Sequence, residues 1–187
     1  MSHRLPPVLV GAAAAAALLL GGCTPAGGGV DSSASPSVAP TADGAVTATA
    51  PEGTPDPCTL LTAEFLQEAT GFKMLDGTFN AALSNDGRNI CTWNPASTER
   101  NVPRIQVEVN WGFPDAAGHR EIATQIFGDL KNVEIEGATN AYAYPGYRTE
   151  AMEVGQYFVK VSYIHPNRTN AGQITTAIAT ETVKNLG

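Results

Sequence analysis

The clearest pattern in the chain is an alternation of polar and apolar residues from Arg104 to Trp111. Successive side chains of a β-strand point to opposite faces, so this pattern predicts a half-buried strand. Four other segments are predicted to be extended, at 90–94, 139–144, 147–153 and 156–164. The first of these carries Cys91 and Trp93 to one face. Gly155 separates the last two segments and favours a tight hairpin turn.

Three further segments have the periodicity of helices. A short helix is predicted from Ala63 to Thr70, because Thr62 is a good N-cap and Gly71 a natural stop. A second helical stretch opens at Pro114 and Asp115, and a closing helix covers 171–185. Helical periodicity predicts that the following side chains face the core: Ile122, Ile126, Phe127 and Leu130 in the second helix, and Ile174, Ala177, Ile178 and Val183 in the third helix.

The order of the elements predicts the fold class. Runs of hairpin-connected strands, separated by helices, are typical of an antiparallel sheet with helices on one or both faces. The chain is therefore predicted to be α+β, with residues 72–89 left ambiguous. This single domain is expected at 58–187, because the large apolar and aromatic residues are concentrated there.

The N-terminal third has a different composition. Residues 1–22 have the form of a secretory leader, with a positive start and an uncharged run from Val8 to Leu20. That run is too short for a comfortable transmembrane helix. Residues 23–57 are rich in Ala, Gly, Ser, Thr and Pro and have no aromatic residue, so a disordered tether is predicted.

The leader ends at a cysteine. The segment from Leu20 to Cys23 resembles the lipobox of bacterial lipoproteins, in which the cysteine is acylated and the leader is cut just before it. The resemblance implies a protein held on the extracytoplasmic face of the cell membrane, with two or more acyl chains on Cys23. A secreted protein cut elsewhere, or an uncleaved anchor, is the alternative.

Two cysteines remain, Cys58 and Cys91. In an exported protein an even pair is most simply a structural disulfide. A redox pair is the competing interpretation, but the Cys-x-x-Cys spacing that would favour it is absent.

Charge excludes one class of partner. The formal net charge is −7, and the eleven basic residues are scattered without a run or a basic patch. Nucleic acid is therefore not an expected partner. The same acidity argues against electrostatic docking on anionic lipids.

No motif predicts catalysis, a metal or a cofactor. His119 and His165 lack a metal-ligand spacing, and no serine has a nucleophile motif. Glu134 and Glu136 would share a face of a strand and could act as an acid–base pair, but two solvated glutamates are the more common case. The chain is therefore expected to be non-enzymatic.

One cluster suggests binding. Tyr142, Tyr144 and Tyr147 surround Pro145 and Gly146, and exposed tyrosines can stack on sugars or line an apolar pocket. The alternative is packing, because strands favour tyrosine and half-bury it.

The segment from Asp56 to Thr62 (DPCTLLT), together with Cys91-Thr92-Trp93, resembles a family of actinobacterial lipoproteins of unknown function. In that family a DPC-x-LLT opening and a CTW segment follow a lipobox and a low-complexity linker. The resemblance implies pairing of the two cysteines and a sheet-and-helix sandwich similar to PsbP-like proteins and sensor domains. It implies no catalytic residue.

These observations lead to one expectation about function. The chain is expected to be a lipid-anchored binding module for an envelope ligand, such as a glycan, a lipid or a small molecule. An accessory or scaffold subunit that binds a membrane protein complex is the alternative. An envelope hydrolase that uses Glu134 and Glu136 is a third hypothesis.

Overall fold

An antiparallel sheet forms the centre of the molecule. The computed structural model describes residues 49–146, 148–165 and 169–187. The strands are β1 (Thr78–Phe79), β2 (Arg88–Trp93), β3 (Arg104–Asn110), β4 (Lys131–Asn132), β5 (Thr139–Ala143), β6 (Thr149–Val154) and β7 (Tyr157–Ile164). They pair in the order β1-β2-β3-β7-β6-β5-β4. The helices are α1 (Ala63–Thr70), α2 (Ala116–Phe127) and α3 (Ala171–Leu186).

The predicted fold class is confirmed. The seven described strands are antiparallel, and three helices pack on their sheet. The four segments predicted as extended all contain strands, and the ambiguous segment 72–89 contributes β1 and the start of β2. Within the described ranges, no helix combines the length and the apolar character that a membrane span requires.

One face of the sheet is apolar. Ile105, Val107 and Val109 of β3 are fully buried on this face. Residue Val107 pairs with Val161 of β7, which extends the apolar surface across the centre of the sheet. Helices α1 and α3 cover this face, and their buried side chains belong to the same core cluster. Most of the apolar burial is therefore on one side of the sheet.

Helix α1 begins and ends as the sequence predicts. The Thr62 Oγ1 atom accepts a hydrogen bond from the Phe65 backbone N–H at 3.2 Å. Gly71 has a φ of 74°, a left-handed conformation that glycine adopts without strain. Leu66, in the middle of the helix, is fully buried in the core. The helix is thereby fixed directly after the segment that contains Cys58.

A disulfide joins that segment to the sheet. Cys58 and Cys91 are bonded with a Cα–Cα distance of 5.1 Å, which confirms the predicted bridge. Trp93, two residues along β2, is fully buried, as expected. A Cβ atom on Gly77 would lie 2.7 Å from the Cys91 sulfur and from the Trp93 ring. The bridge and the indole therefore pack so closely against the chain at Gly77 that no side chain fits there.

Helix α2 packs on the opposite face and covers only part of it. Its contact is with β5, β6 and the start of β7, through a second cluster that contains Ala116, Ala123, Tyr142, Ala151 and Phe158. The buried side of α2 is narrow because it is built of alanines, which let the helix approach the sheet closely. The larger apolar side chains of α2 therefore lie outside this contact.

Two sequence predictions about helix orientation are wrong. Ile122, Ile126 and Phe127 were expected to face inward, but their exposed fractions are 51, 68 and 54%. In α3, Ala177 is exposed, whereas the other three predicted inward residues are buried. Helical spacing shows which residues lie on the same side of a helix, but it does not show which side packs against the sheet.

A carboxyl group is buried beneath α3. Glu150 of β6 is fully buried, and its Oε1 atom accepts a hydrogen bond of 2.7 Å from Thr176 Oγ1. The other oxygen has no hydrogen-bond partner among the described residues. Burial raises the pKa of Glu150, and the hydrogen bond from Thr176 only partly opposes this.

Removing the disulfide should lower stability. The double substitution Cys58→Ala and Cys91→Ala releases a segment of 33 residues, which raises the entropy of the unfolded chain. The free energy of unfolding should fall by about 3 to 4 kcal/mol, measured by urea denaturation. A loss below about 1 kcal/mol would contradict a structural role for the bridge.

Glu150 should make stability depend on pH. Its pKa is raised from 4.5 in the folded chain, so the folded state binds the proton more tightly than the unfolded state. Stability should therefore rise as the pH falls through the folded pKa toward 4.5. Glu150→Gln should remove this rise and increase the free energy of unfolding at pH 7.5 by about 1 kcal/mol. Glu153→Gln, on the opposite face of β6, is the matched control; equal pH profiles for the two variants would contradict the assignment.

Candidate functional site

Half of the second sheet face is not covered by a helix. Helix α2 packs against β5 and β6, whereas β1, β2 and β3 carry polar side chains on this side. In β3 the residues on this face are Arg104, Gln106, Glu108 and Asn110. A helix that covered these alternate positions would bury their polar side chains. Many of the buried groups would then lack a hydrogen-bond partner, so an apolar core does not form here.

Five polar side chains form a continuous row across this face. Register pairs Thr78 with Thr92, Thr92 with Gln106, and Gln106 with Ser162. Ser162 then pairs with Thr149 of β6. Directly paired residues of antiparallel strands point to the same side, so these five residues, called here the polar row, present hydroxyl and amide groups together.

Parts of the polar row are linked and parts are not. The Thr149 and Ser162 hydroxyl oxygens lie 3.1 Å apart and share a hydrogen bond. The Thr92 hydroxyl is buried and has no partner among the described residues. Buried polar groups without a partner are rare in native proteins and commonly mark positions with a role beyond packing.

A charge cluster lies next to the row. The Glu108 carboxylate is almost fully buried, and its Oε2 atom is 2.6 Å from Lys160 Nζ. The Arg88 guanidinium reaches Oε1 at 3.8 Å. Two cations therefore surround one carboxylate, so this part of the face has a local positive excess.

Three residues of the polar row, Thr78, Thr92 and Gln106, line an open groove. The groove has a volume of about 620 Å³, and one wall is the loop after β1. Arg104, Gln106 and Asn94 contribute polar groups, while Phe79, Leu83 and Ile164 contribute apolar surface. Such a mixture of a few polar groups with apolar edges is typical of sites for small ligands.

Hydrogen bonds fix the loop that forms this wall. The Asn80 Oδ1 atom accepts from the Leu83 backbone N–H at 3.2 Å, and the Ser84 hydroxyl donates to the Asn80 carbonyl at 2.8 Å. Ser84 also accepts from the Ile90 N–H of β2 at 3.0 Å. The wall is thus attached to the sheet, and little ordering is needed when a ligand enters.

The predicted tyrosine cluster is arranged differently from the expectation. Tyr142 is fully buried under α2, where burial raises the pKa of its phenol above the usual range. The Arg120 guanidinium lies over its ring at 5.4 Å. Tyr144 is half-buried and contacts Phe127 edge-on at 5.3 Å, and Tyr147 lies outside the described residues. For Tyr142 this arrangement favours packing over binding.

The other candidate residues are dispersed. Glu134 and Glu136 are exposed, and no strand forms between them to align their carboxylates. His119 is stacked on Phe158 at 3.8 Å. Cys23 lies outside the described residues. Within the described part of the chain, no group of three or more His, Cys, Asp or Glu side chains is placed to hold a metal ion.

The sequence does not predict the polar row, although it shows the alternation of β3 that contributes to it. The alternation of β3 already places Gln106 and Glu108 on one face. What the alternation lacks is the register, which brings Thr92 and Ser162 alongside Gln106. Register depends on partners distant in sequence, so the row appears only in the folded chain.

The ion pair on this face yields a testable prediction. Lys160→Met keeps the aliphatic stem but leaves the buried Glu108 with only the distant Arg88, so the free energy of unfolding should fall by about 2 to 3 kcal/mol. Lys184→Met, which breaks an exposed pair with Glu181, is the control and should cost less than about 1 kcal/mol. Equal losses in thermal denaturation would contradict the view that Glu108 depends on Lys160.

Comparison with known proteins gives a family and no function. No curated protein and no solved structure matches the chain. The model of one family, described as a protein of unknown function (DUF3558), matches residues 18–185. This match spans most of the chain and includes the disulfide, the groove and all three helices. The chain therefore belongs to the DUF3558 family of proteins of unknown function.

Proposed function

We propose that this chain is an extracytoplasmic lipoprotein, anchored through Cys23, whose domain binds a hydroxyl-rich envelope ligand in the sheet groove. A glycan is the ligand class that fits best. The observation that carries this proposal is that Thr78, Thr92 and Gln106 of the polar row lie side by side in register and line an uncovered groove. The anchor is supported by the resemblance of the segment ending at Cys23 to a lipobox.

The hydroxyl and amide side chains of the groove support a ligand rich in hydroxyl groups. Hydroxyl and amide side chains both donate and accept hydrogen bonds, as sugar hydroxyls do. Gln106 is half-buried in the centre of the row and presents both kinds of group. Leu83 and Ile164, which line the groove and are 47 and 49% exposed, offer apolar surface that can pack on the apolar face of a sugar.

The groove also supports binding without catalysis. No carboxylate is among the described residues that line the groove, and Glu108, on the same sheet face, is held between Lys160 and Arg88. The histidines His119 and His165 are not among the residues that line the groove. A second acid–base group next to Glu108 would be needed for hydrolysis by paired carboxylates. The proposal is therefore a module that holds its ligand unchanged.

Binding can be tested by native mass spectrometry of the chain exported with Cys23→Ser. The probes are glucose, mannose, N-acetylglucosamine and trehalose at millimolar concentration. At least one sugar should form a complex with a dissociation constant in the millimolar range or below. Gln106→Leu should weaken this complex by about tenfold or more, because the polar groups of the sugar lose their partner.

The control is Gln67→Leu, on the exposed surface of α1 and on the other side of the sheet. This variant should bind like the unaltered chain. If none of the four sugars binds, or if both glutamine variants bind equally, the groove is not a glycan site.

A further inference from the structure

An apolar surface runs from the residues just before α2 along one flank of the helix and around its C-terminal end. Its members, called here the α2 ridge, are Phe113, Ile122, Ile126 and Phe127. Their exposed fractions are 44, 51, 68 and 54%. Single exposed apolar residues are common on proteins, but a contiguous group on one helix marks an interaction surface.

The ridge is continuous along the helix. Ile122 and Ile126 are four residues apart, so they are neighbours on the surface of α2. At the N-terminal end, the Phe113 ring contacts His119 at 4.6 Å, three residues before Ile122. At the C-terminal end, Phe127 contacts Tyr144 at 5.3 Å. A strip of apolar and aromatic side chains thus extends over the length of the helix, about 18 Å.

The chain that leaves the described domain starts close to this ridge. Gly53, Thr54 and Pro55 line the same small groove as Trp111 and Pro114, and these two residues flank Phe113 in sequence. Asn89 Nδ2 fixes this segment by donating to the Pro55 carbonyl at 2.7 Å. The described part of the chain therefore begins, at residue 49, near the end of the domain at which α2 begins.

The length of the outlying chain determines what the ridge can meet. Cys23 and Gly53 are separated by 29 residues. The random-coil end-to-end distance of a chain of this length would be roughly 30 Å. A domain on such a tether stays next to the surface that holds its other end. Its effective concentration at that surface is millimolar, so even a weak apolar contact is occupied for much of the time.

From these observations we propose that the α2 ridge rests on the lipid surface to which Cys23 anchors the chain. The proposal rests on the proposed anchor and is independent of the sheet groove. Amphipathic helices that lie in a membrane interface insert their apolar side in this way. Phe113, Phe127 and Tyr144 supply the aromatic rings that are favoured at the level of the headgroups.

Charge indicates which lipids the ridge fits. Glu121 and Asp129 are exposed on and just beyond α2, and the whole chain carries a formal net charge of −7. These charges oppose anionic headgroups. Contact should therefore be driven by apolar burial and should be no stronger on anionic lipid than on zwitterionic lipid.

The test uses the exported chain with Cys23→Ser, so that binding is measured without the anchor. Sucrose-loaded phosphatidylcholine vesicles are sedimented at lipid concentrations up to 10 mM. Half of the chain should sediment at about 1 mM lipid, the partitioning expected for four half-exposed apolar side chains. The double substitution Ile122→Ser and Ile126→Ser should raise this concentration about tenfold.

Leu75→Ser is the matched control, because Leu75 is 53% exposed but lies outside α2. It should change the half-binding concentration less than twofold, and circular dichroism should show that all variants are folded. No sedimentation at 10 mM lipid, or equal binding by the double variant, would overturn the proposal.

Two further results would assign the ridge to another partner. Binding to phosphatidylglycerol vesicles that is much tighter, and is lost in salt, would mean electrostatic docking elsewhere on the domain. A concentration-dependent dimer in sedimentation, lost in the double variant, would identify a second copy as the occupant. Either result overturns the lipid contact, and neither affects sugar binding in the groove.

Discussion

The alternation of side chains in β3 and β7 is the constraint on which the rest of the structure depends. These two strands lie at the centre of the sheet and pair along their whole length. On one face, Val107 pairs with Val161 and forms the floor of the core. On the other face, Glu108 pairs with Lys160, a charged pair that a helix cannot cover without large desolvation costs. The sheet therefore has one face to bury and one face that is half open.

The position of α2 follows from this constraint. The apolar patch on the second face is limited to the region around Ala151 and Phe158, so α2 packs over β5, β6 and the start of β7. It does so through Ala116 and Ala123, whose small side chains allow a close approach. Both proposed surfaces result from this arrangement: the groove lies beside the helix, and the ridge lies along one flank of the helix and around its C-terminal end.

Local signals in the sequence were sufficient for much of the fold. The Thr62 cap, the Gly71 stop and the hairpin at Gly155 depend on neighbouring residues and were all predicted correctly. The bridge between Cys58 and Cys91 followed from the cysteine count, and the structure confirms it. These features need no knowledge of which strands are neighbours.

The features that the sequence predicts wrongly, or not at all, depend on residues that are distant in sequence. The apolar stripe of α2 was assigned to the core because Ile122 and Ile126 are large, but the sheet under the helix accommodates alanines. The tyrosine cluster suggested a site, but Tyr142 fills the space under that helix. The groove was not visible because Thr92 and Gln106 meet only through strand register. The proposed site is made of cross-strand neighbours, which a single sequence does not define.

The central claim is that the open polar face receives a ligand. The most direct measurement is an amide NMR spectrum of the isotope-labelled chain with Cys23→Ser, recorded with and without a polysaccharide extract of the bacterial envelope. A ligand in the groove should produce shifts confined to Thr78, Thr92 and Gln106 and to the loop at Asn80–Leu83. Shifts confined to α1 and α3 on the other face, or no shift at saturating extract, would contradict it.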